Sequence, residues 1–337
     1  MEKRENNCLW MLKGISCLIV ILFHCPIHNL VGDAIIYALR FPIPIFLMIT
    51  GYYSFGKDKY LRSAGKTLRL LLFGELITAC VMAVCFMAGI TDANPVDIFL
   101  KTDWIKTIFF GSIFNGTLWY LYAMFWGWIL FYIISKIPHG YFFMKCSIIP
   151  LLVLHIFGRM LVTKYSDINE TVYLFRSVIL FVVPFFMIGR LIAEHQKLIL
   201  EKMKGLQTIF LMAAGAFLII IEYVIWHQFM DLQVSTIFVS VGMFLFALQY
   251  SNFAPSKLLI RIGHISQYVY IFHIPVIILL NAILVKHVPD AVAATVMPFL
   301  VILCTVLVSY GYDRIRISMH TLSGMRKRES SSPSADI

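Results

Sequence analysis

Charged side chains are scarce in this sequence, 14% of 337 residues, against 60% hydrophobic ones, and that balance excludes a soluble globular domain. Between the hydrophobic runs no polar stretch is long enough to fold by itself, which excludes a separate soluble domain. Acidic residues are fewest, 18 against 28 Lys and Arg. The resulting balance of +10 is spread along the rims of the hydrophobic runs, so it reports topology and attraction to anionic lipid. No nucleic-acid signature accompanies it. Cys-x-x-Cys spacing is missing, and Cys17, Cys25, Cys80, Cys85 and Cys304 lie in or near apolar segments as small packing residues. That pattern argues against structural disulfides and zinc. Neither a His-Glu-x-x-His metal motif nor a serine-hydrolase elbow occurs, which argues against the commonest hydrolytic chemistries.

What the sequence does have is hydrophobic length. Runs able to cross about 30 Å of hydrocarbon recur from end to end, and the fold class is all-α: a polytopic integral membrane protein. The expected spans are Leu9 to Ile27, Ile35 to Tyr53, Leu70 to Gly89, Thr117 to Ile133, Ser147 to Val162, Val172 to Ala193, Leu206 to Trp226, Val234 to Tyr250, His264 to Leu284 and Ala291 to Tyr310. A basic head (Lys3, Arg4) precedes the first run as in a secretion signal. No small-residue cleavage site follows and a second run comes at once, so a retained helix is expected. Lys57, Lys59, Arg62, Lys66 and Arg69 crowd one loop and Arg190, Lys197, Lys202 and Lys204 another, which puts both loops in the cytoplasm. With ten spans both termini are cytoplasmic. Residues 1–323 read as one membrane domain and 324–337 as a basic, then Ser-rich, disordered cytoplasmic tail. Trp104 to Phe114 reads either as an interfacial helix or as the start of the fourth span.

Five constellations carry candidate chemistry. Lys13 and His24 share one face of the first segment, roughly 16 Å apart along the axis, the lysine at the membrane edge and the histidine well inside. An ionisable ring that deep faces either a polar pathway or a hydrogen-bonding neighbour helix. Arg40-Phe41-Pro42-Ile43-Pro44, running on to Thr50-Gly51-Tyr52, predicts an irregular helix in which the prolines free backbone carbonyls and Gly51 permits close approach. Arg40 and Thr50 then line a polar cavity, or Arg40 snorkels outward from a simple kink. The positive-inside bias explains most of the basic loop from Lys57 to Arg69, and a grip on the phosphates of a cytoplasmic donor is the alternative. The aromatic cluster Leu118-Trp119-Tyr120-Leu121-Tyr122 with Trp126 and Trp128 fits an interfacial belt. In the ninth span Ser266, Tyr270 and His273 fall at spacings of four and three, a polar stripe ending just before Pro275. Glu75 and Glu222 are further intramembrane candidates.

Taken in order, these elements resemble the acyltransferase-3 family of bacterial integral-membrane acyltransferases, over nearly the whole chain. The likeness rests on Lys13 to His24, on Pro44-Ile45-Phe46 to Thr50-Gly51-Tyr52, and on Leu118 to Leu121. It extends to the Pro-Phe-Phe-x-x-Gly element of Pro184 to Gly189 and to Ser266, Tyr270 and His273. Lys13 stands where the family usually has arginine and Thr50 where serine is usual; charge and hydroxyl are kept. The family's basic pair after the second span matches Lys66 and Arg69, with Arg62 as the alternative.

The resemblance implies transfer of an acyl group, most often acetyl from cytoplasmic acetyl-CoA, to a hydroxyl of an envelope polysaccharide or lipid-linked sugar in the bacterial cytoplasmic membrane. No bound cofactor and no metal is expected; acyl-CoA is a substrate. Lys66, Arg69 and Lys13 would hold the CoA phosphates, and His24 would act as general base or carry the acyl group transiently. Arg40 would orient the acceptor, with His273, Tyr270 and Thr50 in the second rank. A transporter or flippase of lipid-linked saccharides is the rival, since kinked helices and intramembrane charges also build substrate paths; no convincing internal repeat supports it.

Overall fold

A computed structural model describes residues 6–27, 30–57, 59–111, 113–165, 174–226, 232–253, 255–284 and 289–329. Every regular element among them is helical. The first four helices are α1 (Asn7–His24), α2 (Leu30–Ala38), α3 (Pro42–Ser54) and α4 (Tyr60–Met87). Two short helices, α5 (Pro95–Leu100) and α6 (Trp104–Phe110), lead through a 3-10 turn at Gly116–Leu118 into α7 (Trp119–Ser135) and α8 (Gly140–Tyr165). A π turn at Val178–Val182 opens into α9 (Val183–Glu194), followed by α10 (Gln196–Lys202), α11 (Gly205–Trp226) and α12 (Val234–Gln249). The last two are α13 (Lys257–Leu284) and α14 (Asp290–Glu329).

Each of the ten expected spans has a helical counterpart, but they are not equal. Among the described residues eight helical segments are long and apolar enough to cross a membrane. The sixth expected span is a broken one, Val178–Glu194 and Gln196–Lys202 meeting at a 76° bend. The eighth, α12, has 16 residues, so at 1.5 Å per residue it reaches about 24 Å, short of the hydrocarbon thickness. The prolines of the second span begin a helix instead of kinking one. Pro42 occupies the first turn of α3, where a missing N–H costs nothing, so the segment splits into α2 and α3 at Leu39–Phe41. Trp104 to Phe110 is a separate helix with no buried residue, its Trp104, Ile105, Ile108 and Phe109 exposed, as an interfacial helix requires. Trp126 of α7 ties it down by donating its indole N–H to the Ile108 carbonyl at 2.7 Å. α14 continues through Arg326-Lys327-Arg328 to Glu329, so the basic part of the expected tail prolongs the last helix; residues 330–337 lie outside the described residues.

Polar contacts gather one end of the bundle. Asn6 caps α1 and donates to the Ala247 carbonyl at 2.9 Å, Tyr52 donates to Gln196 at 2.8 Å, Arg190 donates to Tyr60 at 2.8 Å, and Lys145 pairs with Glu194 at 2.7 Å. Tyr60 in turn shares a hydrogen bond with Tyr141. This is the end that carries the basic loops. Two intramembrane glutamates do architectural work elsewhere. Glu75 accepts the backbone N–H groups of Ile113 and Phe114 at 3.0 and 2.9 Å, bracing the loop ahead of the 3-10 turn. Glu222 accepts from Val234 N–H at 2.9 Å and from the Ser235 amide and hydroxyl, satisfying donors that the start of α12 leaves open.

The core helices touch backbone to backbone at two reciprocal glycine crossings. A Cβ on Gly51 of α3 would overlap the Phe186 carbonyl of α9, and one on Gly189 of α9 would overlap the Met48 carbonyl of α3. α1 and α13 meet the same way: Gly14 lies on the Leu259 carbonyl and Gly263 on that of Trp10. Small residues are what allow such approach between apolar helices, where dispersion takes the place of a hydrophobic driving force.

Candidate active site

The α1–α13 pair sets the site. From the basic end upward, the Trp10 ring stacks on His264 at 4.1 Å, Gly14 abuts Gly263, and the Cys17 thiol donates to the Ser266 carbonyl at 3.4 Å. At the far end the rings of His24 and His273 come together, centroids 5.3 Å apart and tilted by 41°. Contacts between the same two helices thus fix the register of both histidines.

The two rings differ in setting. His24 was expected inside a continuous apolar helix; it is instead the last residue of α1, and its ring is exposed. Pro26 explains the stop, because the residue before a proline is pushed out of the helical region and Cys25 takes φ −139° and ψ 74°. His273 is fully buried. Its Nδ1 lies 2.6 Å from the Tyr270 carbonyl, which only accepts, so Nδ1 carries the proton and Nε2 of the neutral ring bears the lone pair. That Nε2 has no hydrogen-bond partner among the described residues.

Around the pair stand the other residues expected from the sequence. Arg40, in the break between α2 and α3, holds its guanidinium 5.2 Å from the Phe23 ring, beside His24. Thr50 donates its hydroxyl to the Phe46 carbonyl at 2.7 Å and lies beside the Tyr120 phenol. Tyr120 packs edge-on against Tyr270 at 5.8 Å. Tyr270 itself donates to the Thr117 carbonyl, and Thr117 is fixed to the buried Asn115, which donates to Thr78. Its phenol thereby holds the turn before α7.

The donor-side residues lie apart from the histidines. Arg62, Lys66 and Arg69, at spacings of four and three on the first turns of α4, line an open groove of about 460 Å³ with Leu61 and Gly65. Arg62 and Lys66 both line that groove. Lys13 does not join it; its ammonium lies 5.1 Å from the Trp10 ring, between the groove end and the histidines along α1.

Three buried or half-buried basic residues escaped the sequence reading. Arg176, just before the π turn, lies 5.3 Å from the Trp119 ring and within Coulombic reach of His24. His155 and Arg159 of α8 are buried, His155 with Nδ1 3.2 Å from the Leu180 carbonyl and Arg159 over Phe175 at 5.6 Å. The signal that singled out His24, an ionisable group within an apolar run, applies equally to all three.

These features define a polytopic helical membrane protein with one histidine pair between α1 and α13 and a basic groove on the first turns of α4. Residues 6–313 match the Acyl_transf_3 family model, an acyltransferase domain. The chain belongs to the acyltransferase-3 family and is a membrane acyltransferase. No curated protein and no solved structure matches it. The transporter or flippase alternative finds no support in the family match.

Proposed function

We propose that this acyltransferase moves an acyl group, acetyl foremost, from cytoplasmic acyl-CoA to a hydroxyl of an envelope polysaccharide or a lipid-linked sugar. The reading rests chiefly on the His24–His273 pair, exposed on one side and backed by a buried ring nitrogen with a free lone pair. In this reading ten segments cross the bacterial cytoplasmic membrane, both termini are cytoplasmic, and the basic groove faces the cytoplasm.

Arg62, Lys66 and Arg69 hold the phosphates of acyl-CoA by charge-assisted hydrogen bonds, and Lys13 marks the way from that face toward His24. The slender arm of CoA carries the thioester along α1. His24, oriented by donating one ring N–H toward His273 Nε2, takes the proton of the acceptor hydroxyl with its other nitrogen. The hydroxyl oxygen bonds to the thioester carbonyl carbon, the carbon–sulfur bond breaks, and the proton passes from His24 to the CoA thiolate. Atoms and charge balance, and no cofactor is consumed. In a second route the His24 ring nitrogen bonds to the thioester carbonyl carbon as the carbon–sulfur bond breaks and the ring proton passes to the CoA thiolate; the acceptor oxygen then bonds to that carbon as the carbon–nitrogen bond breaks, and the hydroxyl proton returns to His24.

The test is transfer of label from radioactive acetyl-CoA into envelope glycans. Membranes with wild-type protein are compared with membranes holding equal amounts of His24→Ala. Label only with wild type supports acyl transfer through His24. Equal label with a well-folded His24→Ala protein removes the central claim.

A further inference from the structure

The bend in the sixth expected span has no part in acyl transfer as described. His195 takes φ −105° and ψ 17°, which ends α9, and α10 leaves it at an angle of 76°. The seven residues of α10, Gln-Lys-Leu-Ile-Leu-Glu-Lys, include none that is buried. A short helix that turns off a spanning one and carries aliphatic side chains among lysines has the character of an interfacial helix. The turn leaves a groove of about 460 Å³, to which α8, α9, α10 and α12 contribute Ile149, Leu191, Leu198 and Val241 among other aliphatic side chains. Ile149 is 73% exposed and Leu198 49%, so the groove is open along its aliphatic side.

The lining decides the occupant. Its residues are Ile, Leu, Val and Met with Lys145 and His195; among the described residues no glycine, alanine, serine or aromatic side chain lines it. Where helices of this chain approach one another closely they do so over Gly14 and Gly263 or Gly51 and Gly189, since branched side chains hold a second backbone away. A groove walled by branched aliphatics therefore admits a slender, flexible hydrocarbon chain in preference to a helix. Its polar rim lies at the end of the bundle that carries the basic loops. Lys145 is paired there with Glu194 at 2.7 Å. On α10 His195 stands three residues before Leu198, and Lys202 stands four after it and three after Ile199, which places both on the face that lines the groove. Lys197 and Lys204 are exposed nearby, and with Glu194 matched to Lys145 the stretch 194–204 has only Glu201 to set against three lysines. Such a rim complements an anionic headgroup.

We propose that the groove between α8, α9, α10 and α12 holds one chain of an anionic phospholipid, whose phosphate rests on the rim formed by His195 and Lys202. The orientation given above places that lipid in the cytoplasmic leaflet; the site itself does not depend on acyl transfer.

The experiment is native mass spectrometry of the full chain released from detergent, titrated with phosphatidylglycerol or with phosphatidylcholine of the same chains. Wild type should retain one phosphatidylglycerol about tenfold more tightly than phosphatidylcholine, and Lys202→Gln should lower that preference about fivefold. Ile149→Trp, which fills the open side of the groove, should abolish retention of both lipids, and Leu198→Trp gives the same reading should the first variant fail to fold. Leu307→Trp, on the exposed face of α14, should leave retention as in wild type. Equal retention of the two lipids by wild type overturns the anionic headgroup, and a Lys202→Gln preference equal to that of wild type overturns its seat on the rim. Undiminished retention in a folded Ile149→Trp or Leu198→Trp protein overturns the groove as the site, as does loss of lipid from Leu307→Trp to the same extent. A second copy of the chain retained in place of the lipid, and released by Ile149→Trp, overturns the proposal in favour of a helix partner.

Discussion

Replacing His273 by Leu removes the buried acceptor behind His24 while nearly keeping the volume of the side chain. In the structure His273 is locked by its Nδ1 contact of 2.6 Å to the Tyr270 carbonyl, so its Nε2 can serve only as an acceptor toward the neighbouring ring. An orienting hydrogen bond of that kind is worth about 1–1.5 kcal/mol net, which corresponds to a fall of about tenfold in kcat. Loss of the base itself, in His24→Ala, removes about 10²–10⁴. Because His273 acts only through His24, the two changes do not add: His24→Ala/His273→Leu should be no slower than His24→Ala alone. The assay is steady-state acetyl transfer by purified protein in lipid nanodiscs, with kcat and the KM for acetyl-CoA measured for each variant. His273→Gln, whose amide oxygen can still accept, recovers part of kcat, and KM for acetyl-CoA stays constant throughout. A His273→Leu loss as deep as that of His24→Ala, or multiplication of the two losses in the double variant, would refute the assignment of His273 as the positioning residue.

Arg62→Ala, Lys66→Ala and Arg69→Ala should each raise the KM for acetyl-CoA about fivefold with kcat intact, the modest size reflecting exposed, solvent-screened charges. An effect for Lys66 and Arg69 without one for Arg62 would break the shared groove. Gly51→Ala and Gly189→Ala should each cost about 1–3 kcal/mol, because the new methyl meets a backbone carbonyl that cannot swing aside. Gly311→Ala, with open space around it in α14, should be neutral or stabilising by up to about 1 kcal/mol; thermal unfolding in detergent distinguishes them. Glu222→Ala should lower stability by about 1–3 kcal/mol by orphaning the Val234 and Ser235 donors, and the protein that stays folded should keep its kcat. A normal melting curve for that variant contradicts the capping role.

The helical class and the helices themselves were legible because an apolar run long enough to cross a bilayer has few other uses. Breaks were harder to read. Pro42 and Pro44 signal irregularity, but whether a proline kinks a helix or begins one depends on where the preceding helix stops, and Leu39–Phe41 carries no strong stop of its own. The shortness of α12 was already visible in its expected range, Val234 to Tyr250, because the polar Gln233 and Ser251-Asn252 flank it. At the site, His24, Arg40 and His273 stood out as polar groups in apolar runs, and their convergence could be expected only through the family's motif order. Arg176 was overlooked because it lies inside a run that was read whole as a span, while the structure breaks that run at the π turn. Glu75 and Glu222 drew suspicion for the right reason and resolved differently: each faces backbone N–H groups, and only tertiary structure shows which donors a buried carboxylate has found.

The glycine contact between α1 and α13 has a mechanical meaning for turnover. With no side chain between the two backbones at Gly14 and Gly263, the helices have little room to roll, and the Trp10–His264 stack and the Cys17–Ser266 hydrogen bond resist sliding. One residue of slide would move a ring by about 1.5 Å, a large fraction of the 5.3 Å that separates the two histidine rings. The near end of this pair carries Trp10, Lys13 and His264. The packing of α1 on α13 at that end thereby sets the spacing of His24 and His273 at the other, and a change that loosens one end is felt as a change of distance between two rings at the opposite end.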